Sequence, residues 1–279
     1  MKKLLTFILF ICFIINKNAI IYSASEALNI WSKSLFPVLY PTLILSDVLL
    51  ASGIINKIPK VLYNIYYRIF KTSPYGLFVF LVSVFSATPT NAKILKDLYD
   101  NKLIDKNSLS KILSQTIFFN PILILTFSNL KVLIIMWVSN ILTSFILRNK
   151  LVSNDTTLKD INFKFNISES IEKNMKTILN ILGTLTLFLS LSSIIPIKNQ
   201  ILKTFISGIL EITSGFSRIK LYLTSPLNDI MMLIFVSLAS FSIIMQIKSI
   251  LKETKFDSKY FYASRFITLI LSLFIYFIA

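Results

Sequence analysis

Long apolar runs separated by short polar stretches fill most of this 279-residue chain. About nine runs can be distinguished, at residues 4–22, 35–55, 75–91, 112–127, 132–147, 177–197, 201–216, 230–247 and 261–278. A helix that crosses a bilayer needs about 20 mostly apolar residues, and most of these runs approach that length. The pattern therefore predicts an all-α, polytopic helical membrane protein rather than a soluble domain with one anchor.

The third and seventh runs are short, and each ends in polar residues or glycine. If both crossed the membrane, the loops 93–111 and 248–259, with five and four lysines, would lie outside. That arrangement violates the tendency of basic loops to stay in the cytoplasm. If both runs are re-entrant, 21 of the 29 lysines and arginines fall inside. We therefore predict about seven spanning helices plus two re-entrant segments, with amphipathic or soluble segments as the alternative for those two runs.

This topology predicts an internal repeat. After the first helix, each half contains a span, a re-entrant segment and two further spans, and the halves start in opposite directions, as in many secondary transporters. The predicted parts are an N-terminal helix at 1–30, a first gate-like repeat at 31–148, a polar linker at 149–174 and a second, inverted repeat at 175–279. Lys2-Lys3 and the small residues at 22–25 resemble a cleavable signal peptide, but a retained helix with a cytoplasmic N-terminus fits the topology better.

Composition narrows the possible functions. The chain is 54% hydrophobic and only 15% charged, with a mean hydropathy of +0.73, unlike a soluble domain. The net charge of +16 comes from basic residues in short loops, where lysine and arginine usually set the membrane topology. No nucleic-acid partner is therefore expected. The chain has no histidine and one cysteine, which excludes a Ser-His-Asp triad, a histidine zinc site and an intramolecular disulfide. Asp97 and Asp100 look like a solvated face, so we predict no enzyme, metal or cofactor.

Two polar breaks with proline mark the first half. Thr88, Pro89, Thr90 and Asn91 end the third run, with Thr88 predicted to cap a helix that starts at Pro89. Asn120-Pro121, inside the fourth run, is a second polar residue followed by a proline that is predicted to start a helix. Such breaks are tolerated at membrane depth where they are buried in protein or line a watery cavity, and the free N–H groups of a helix N-terminus favour anions. These residues are substrate-binding candidates, with a simple kink or loop as the alternative.

The second half carries corresponding polar positions. The substrate-binding candidates there are Thr213, Ser214, Ser240, Ser242 and Gln246. Three ionisable residues inside apolar runs are candidates for coupling or ion pairing: Asp47, Glu211 and Arg265. Because an intramembrane charge is costly, each acid is predicted either to couple a proton or cation to transport or to be hydrogen-bonded structurally. Arg265 is predicted either to extend to the interface, which is the favoured outcome, or to pair with an anion.

Several pieces of the sequence, in collinear order from about Trp31 to the C-terminus, resemble one family. They are 35–41, 88–93 with 96–98, Asn120-Pro121, 208–215 and 240–246, and the most specific is Gly-Ile-Leu-Glu-Ile-Thr-Ser-Gly at 208–215. They resemble the YlbJ/SpoVV-type sporulation integral membrane proteins, which are grouped with the nucleoside recognition, or gate-domain, proteins.

The resemblance implies a carrier that exports dipicolinate, a small planar dianion, across the outer forespore membrane during sporulation. Two alternatives stay open: a gate-domain transporter of nucleosides or another metabolite, coupled to protons through Glu211, and a non-transporting sporulation scaffold. The expected partners are the lipid bilayer and a small anionic metabolite, and association of copies into a homo-oligomer is left open. The expected location is the plasma membrane or the outer forespore membrane.

Overall fold

The computed structural model describes residues 2–86, 88–153 and 165–279, and over these ranges its regular elements are all helices. At the N-terminus, α1 (Lys2–Ile15) precedes α2 (Lys17–Ile30), a π-helix (Trp31–Leu35) and α3 (Phe36–Ala51). From Lys17 to Ala51 the chain forms one apolar helix of 35 residues. The predicted boundary between 30 and 31 therefore lies inside a continuous helix.

The rest of the first half consists of seven shorter helices. They are α4 (Ile54–Lys57), α5 (Lys60–Phe70), α6 (Tyr75–Ser86), α7 (Thr90–Asp100), α8 (Lys106–Gln115), α9 (Pro121–Phe127) and α10 (Leu130–Ile146). The second half consists of six, namely α11 (Ile167–Ser193), α12 (Gln200–Leu210), α13 (Ile212–Tyr222), α14 (Leu227–Leu238), α15 (Phe241–Ile250) and α16 (Ser258–Ile278). Residues 154–164 of the predicted linker lie outside the described residues, and its last residues begin α11.

Four helical stretches in the described ranges are long and apolar enough to cross a membrane. They are Lys17–Ala51, Ile167–Ser193, Leu227–Ile250 and Ser258–Ile278, and α5 with α6, which meet at 88°, make a fifth if they form one span. The all-α class is thus confirmed for the described residues and is consistent with a helical membrane protein, but seven spans are not confirmed. One reason is the fourth apolar run, which divides into the end of α8, a non-helical stretch and the short helix α9, and another is α10, which is shorter than these spans.

The core is built where helices of the two halves meet. Helices α2 and α3 pack along α11, α10 packs against α16, and α14 against α16. Helix α12 packs on α13, so the chain folds back on itself there. Trp31 ties the long N-terminal helix to α11, because its Nε1 donates a hydrogen bond to the Ile178 carbonyl at 3.0 Å.

The prediction that the lysine-rich stretch 93–111 is a loop with a solvated face at Asp97 and Asp100 is only partly correct, because Asp100 is exposed but Asp97 is buried. These residues form most of α7 and α8, and the side chains of Lys93 and Lys111 are 2% and 0% exposed. The Lys111 Nζ donates to the carbonyls of Lys71, Arg148 (2.8 Å) and Leu151 (3.2 Å), just beyond the C-terminal ends of α5 and α10. A lysine at helix C-termini is stabilised by the partial negative charge there, so not every basic residue in this stretch reports topology.

Candidate functional site

The break between α6 and α7 is joined to the break between α8 and α9. The Thr88 N–H donates to the Phe118 carbonyl at 2.9 Å, and the Asn91 side chain donates to the Thr116 carbonyl at 2.9 Å and hydroxyl at 3.1 Å. Helix α7 begins at Thr90, with Pro89 in the cap position and no side-chain cap. The predicted cap at Thr88 is therefore wrong, because the helix begins one residue later than predicted and the Thr88 Oγ1 accepts no N–H group of the described residues.

The second proline break is confirmed as a helix start. Asn120 caps α9 through Oδ1, which accepts from the N–H groups of Ile122 at 2.8 Å and Leu123 at 3.4 Å, and Pro121 is the first helical residue. Helix α9 has only seven residues, and the Asn120 side chain already occupies its first N–H groups. This N-terminus is therefore a weak candidate for anion binding.

Arg265 lies in the interior of the protein, and the favoured prediction that it extends to the interface is wrong. The residue is 2% exposed. Its Nη2 donates to the Ser114 carbonyl and to Asn140 Oδ1, both at 2.7 Å, and its Nε donates to Ser264 Oγ at 3.4 Å. No carboxylate of the described residues forms a salt bridge with it. It joins α16 to the end of α8 and to α10.

Six buried polar atoms in or next to α7, α8 and α10 have no hydrogen-bond partner among the described residues. They are Oγ1 of Thr88 and Thr90, Oδ1 of Asn91, Oγ of Ser114 and Ser139, and Nε2 of Gln115. A buried polar group without a partner is costly, and most such groups in proteins are satisfied by protein or water. We call Ser114, Gln115, Ser139, Asn140 and Arg265 the arginine cluster.

In the second half the chain reverses direction at Glu211. A Cβ placed on Gly215 would lie 2.4 Å from the Gly208 Cα, and Arg218 Nη2 donates to Gln200 Oε1 at 2.6 Å. Only an antiparallel pair of helices brings these residues together. Helices α12 and α13 therefore form a tight hairpin with Glu211 at its tip.

Several of the predicted residues lie around the carboxylate of Glu211. It is 3% exposed, and its Oε2 accepts from the Thr213 hydroxyl at 2.5 Å and from the Ser214 N–H at 2.9 Å, which caps α13. The Ser242 hydroxyl on α15 also lies within reach of the carboxylate.

The remaining second-half candidates lie at and beyond the break between α14 and α15. Ser240 follows Ala239, whose φ is +53°, and its hydroxyl lies 3.3 Å from that of Ser242. Gln246 is buried one turn further along α15. The structure thus groups Thr213, Ser214 and Ser242 around Glu211.

Asp47 belongs to a different group, which we call the ion-pair cluster: Asp47, Lys93, Asp97 and Lys173. Lys93 pairs with Asp47 and, at 2.8 Å, with Asp97, which in turn pairs with Lys173. Asp47 Oδ2 also accepts from Ser170 Oγ at 2.6 Å and from Asn174 Nδ2 at 2.8 Å. The cluster borders a cavity of about 250 Å³ between α3, α7 and α11. Asp47 is therefore ion-paired, and Asp97 is not part of a solvated face.

Several buried polar residues were not among the site residues predicted from the sequence. Lys93 and Asp97, four residues apart on one helix, are a pairing signal that was available. Asp229, at the start of α14, accepts from Ser128 Oγ at 3.0 Å and Asn129 Nδ2 at 3.2 Å, but these partners are about a hundred residues away and give no local pattern. The Asn140 contact with Arg265 is non-local in the same way.

No known family model, curated protein or solved structure matches this chain. The resemblance to the sporulation family therefore rests on the sequence pieces alone. The broad class, a helical protein of the membrane, rests on the helices, whose length and apolar composition are compatible with a membrane-integral protein.

Proposed function

We propose that this protein is a membrane transporter of a small organic anion. The observation that carries the proposal is the joining of the α6–α7 break to the α8–α9 break, with several buried polar atoms left without partners beside it. Broken helices that keep polar groups in an apolar protein are typical of substrate sites in secondary transporters. The particular substrate that the family resemblance implies is dipicolinate, exported across the outer forespore membrane.

Helix packing supports the inverted repeat on which this proposal depends. Four contacts made by helices of the first half have counterparts made by helices of the second half. Two lie within a half: α7 on α8 corresponds to α13 on α14, and α6 on α8 corresponds to α12 on α14. Two join the halves: α8 on α16 corresponds to α14 on α10, and α9 on α13 corresponds to α15 on α7. Helices α3 and α11, and α10 and α16, pack as related pairs. In this arrangement α6–α7 and α12–α13 are the re-entrant segments, and α8–α9 and α14–α15 are broken spans.

Uptake by purified protein in lipid vesicles tests the proposal directly. We expect saturable movement of labelled dipicolinate that is reduced about tenfold in Asn91→Ala, because the substitution releases the α6–α7 break from Thr116. The matched control is Asn101→Ala, on the same helix, whose side chain bonds only to the local Asp97 carbonyl. Deletion is expected to lower spore dipicolinate. Vesicles that move no dipicolinate, together with normal spores after deletion, contradict the proposal.

One observation favours a second candidate, a proton-coupled transporter of nucleosides or another neutral metabolite. Glu211 is buried at a hairpin tip without a salt-bridge partner among the described residues, as a proton-carrying acid would be. Nucleoside uptake that follows an imposed pH gradient and loses this dependence in Glu211→Gln supports this candidate. Normal anion transport in a null strain with mislocalised partner proteins supports the scaffold instead.

A further inference from the structure

Arg265 carries a buried positive charge whose compensation within the protein is incomplete. Its acceptors are a carbonyl near the end of α8, a side-chain amide oxygen and a hydroxyl, all uncharged. The C-terminal end of a helix supplies only about half an elementary negative charge. Buried charges in proteins are normally paired, and the described residues offer this one no carboxylate.

The residues that hold Arg265, together with their neighbours in the chain, include donors that have no acceptor among the described residues, and the Gln115 amide also accepts from the Tyr66 hydroxyl through Oε1 at 2.6 Å. Ser114 Oγ, Ser139 Oγ and Gln115 Nε2 are each buried without a hydrogen-bond partner, and these residues are at most 3% exposed. Ser114 and Asn140 hold the guanidinium directly, and Gln115 and Ser139 adjoin them in the chain.

A cation with unused donors around it is the chemistry that recognises a carboxylate. Arginine binds carboxylates through two parallel N–H groups, and hydroxyl and amide donors complete the shell of the oxygens. We infer that the arginine cluster binds one carboxylate of the transported molecule, with Arg265 as its counter-charge and Ser114, Gln115 and Ser139 as neutral donors. This inference rests on the proposed function and names the part of the substrate that this cluster recognises.

A single carboxylate is sufficient for such a cluster, so the expected substrate class is small molecules with at least one carboxylate. Dipicolinate, with two carboxylates, and picolinate, with one, should both bind, whereas the neutral diamide of dipicolinate should not. Glu211 lies at the tip of the α12–α13 hairpin, where its carboxylate already occupies the N-terminus of α13. This site therefore does not favour binding of a second anion.

The test measures equilibrium binding of labelled dipicolinate and picolinate to the full-length protein in detergent, with the neutral diamide as competitor. Arg265→Gln is expected to weaken binding of both acids about 30-fold or more, as loss of one partner of a buried charge pair does. Arg218→Gln is the matched control, because this arginine lies on the α12–α13 hairpin and contacts Gln200. It should bind both acids as the wild type does.

Ser139→Ala keeps the test decisive if Arg265→Gln does not fold. Its hydroxyl has no partner, so its removal should leave the melting temperature without ligand unchanged or raised, while the affinity for both acids falls about fivefold. A purely structural serine would not lower ligand affinity.

The outcomes separate the two proposals. If the wild type neither binds nor transports either acid, the proposed function and this inference both fail. If the wild type transports them and Arg265→Gln and Ser139→Ala do so with unchanged KM, only this inference fails.

Discussion

Lys93 carries its charge in a position that is only 2% exposed, between the carboxylates of Asp47 and Asp97. Lys96, one turn further along α7, makes ion pairs at the surface with Asp100 and Glu253. The two lysines differ in burial, not in the kind of bond they make. Loss of one partner of a buried pair costs about 3–5 kcal/mol, because the other charge stays buried without compensation.

We therefore expect Lys93→Met to lower the melting temperature of the detergent-solubilised protein strongly, and Lys96→Met to lower it by the equivalent of at most about 1 kcal/mol. Asp47→Asn added to Lys93→Met should recover much of the loss, since both members of the pair are then neutral. Equal melting temperatures of the two single variants would show that Lys93 is not a buried charge.

At this scale the sequence was informative only where partners are close in the chain. Asn120 and Pro121 were predicted correctly because a cap and a first-turn proline act on the next few residues. Thr88 was misplaced because its partner, Phe118, lies thirty residues on and belongs to another break. Arg265 was misplaced for the same reason, since the acceptors that keep it buried come from α8 and α10.

Among the elements, the α12–α13 hairpin depends on two glycines that let its arms approach closely. A Cβ at Gly215 would lie 2.4 Å from the Gly208 backbone, and one at Gly208 would lie 2.2 Å from the ring of Phe235, which is fully buried. These contacts leave no room for a methyl group without movement of backbone or core. The spacing of the two glycines around Glu211 was visible in the sequence, but the closeness of the arms was not.

We expect Gly215→Ala to destabilise the protein by about 1–3 kcal/mol, as overpacking of a close contact does. Gly183→Ala is the matched control, because Gly183 lies within α11 and nothing lies within 4 Å of its added Cβ. This control should raise stability by about 0.5–1 kcal/mol, since alanine favours a helix. Melting temperatures of both variants that move in the same direction would contradict the close approach.

For the whole molecule, the inverted repeat that we propose would place the α7–α8 connection and the end of α13 on opposite sides of the membrane. Lys106, on α8, and Lys220, on α13, are both exposed, so each accepts a cysteine without loss of a buried contact. In a Cys12→Ser background, which removes the single native cysteine, we expect Lys220→Cys to react with an impermeant maleimide added outside intact cells. Lys106→Cys should react only after permeabilisation.

Reaction of Lys106→Cys from outside would instead mean that the third and seventh apolar runs are not re-entrant. The sequence supplied this topology through its apolar runs and basic loops, and the helical class was correctly predicted from the same signals. The number of spans was less accessible, because a run such as 112–127 is apolar on average although α8 and α9 are separated within it. Hydropathy records composition and does not report where backbone hydrogen bonding is interrupted.

The continuous helix from Lys17 to Ala51 is about 52 Å long at 1.5 Å per residue, whereas the hydrocarbon core of a bilayer is about 30 Å thick. Such a helix must tilt steeply or extend into water, and the exposed Ser32-Lys33-Ser34 near its centre favours a surplus on one side of the bilayer. Trp31 and the packing of α2 along α11 make α11 share that tilt. In a bilayer we therefore expect the two helices to tilt together, and we expect lipid chain length to influence the angle that both adopt.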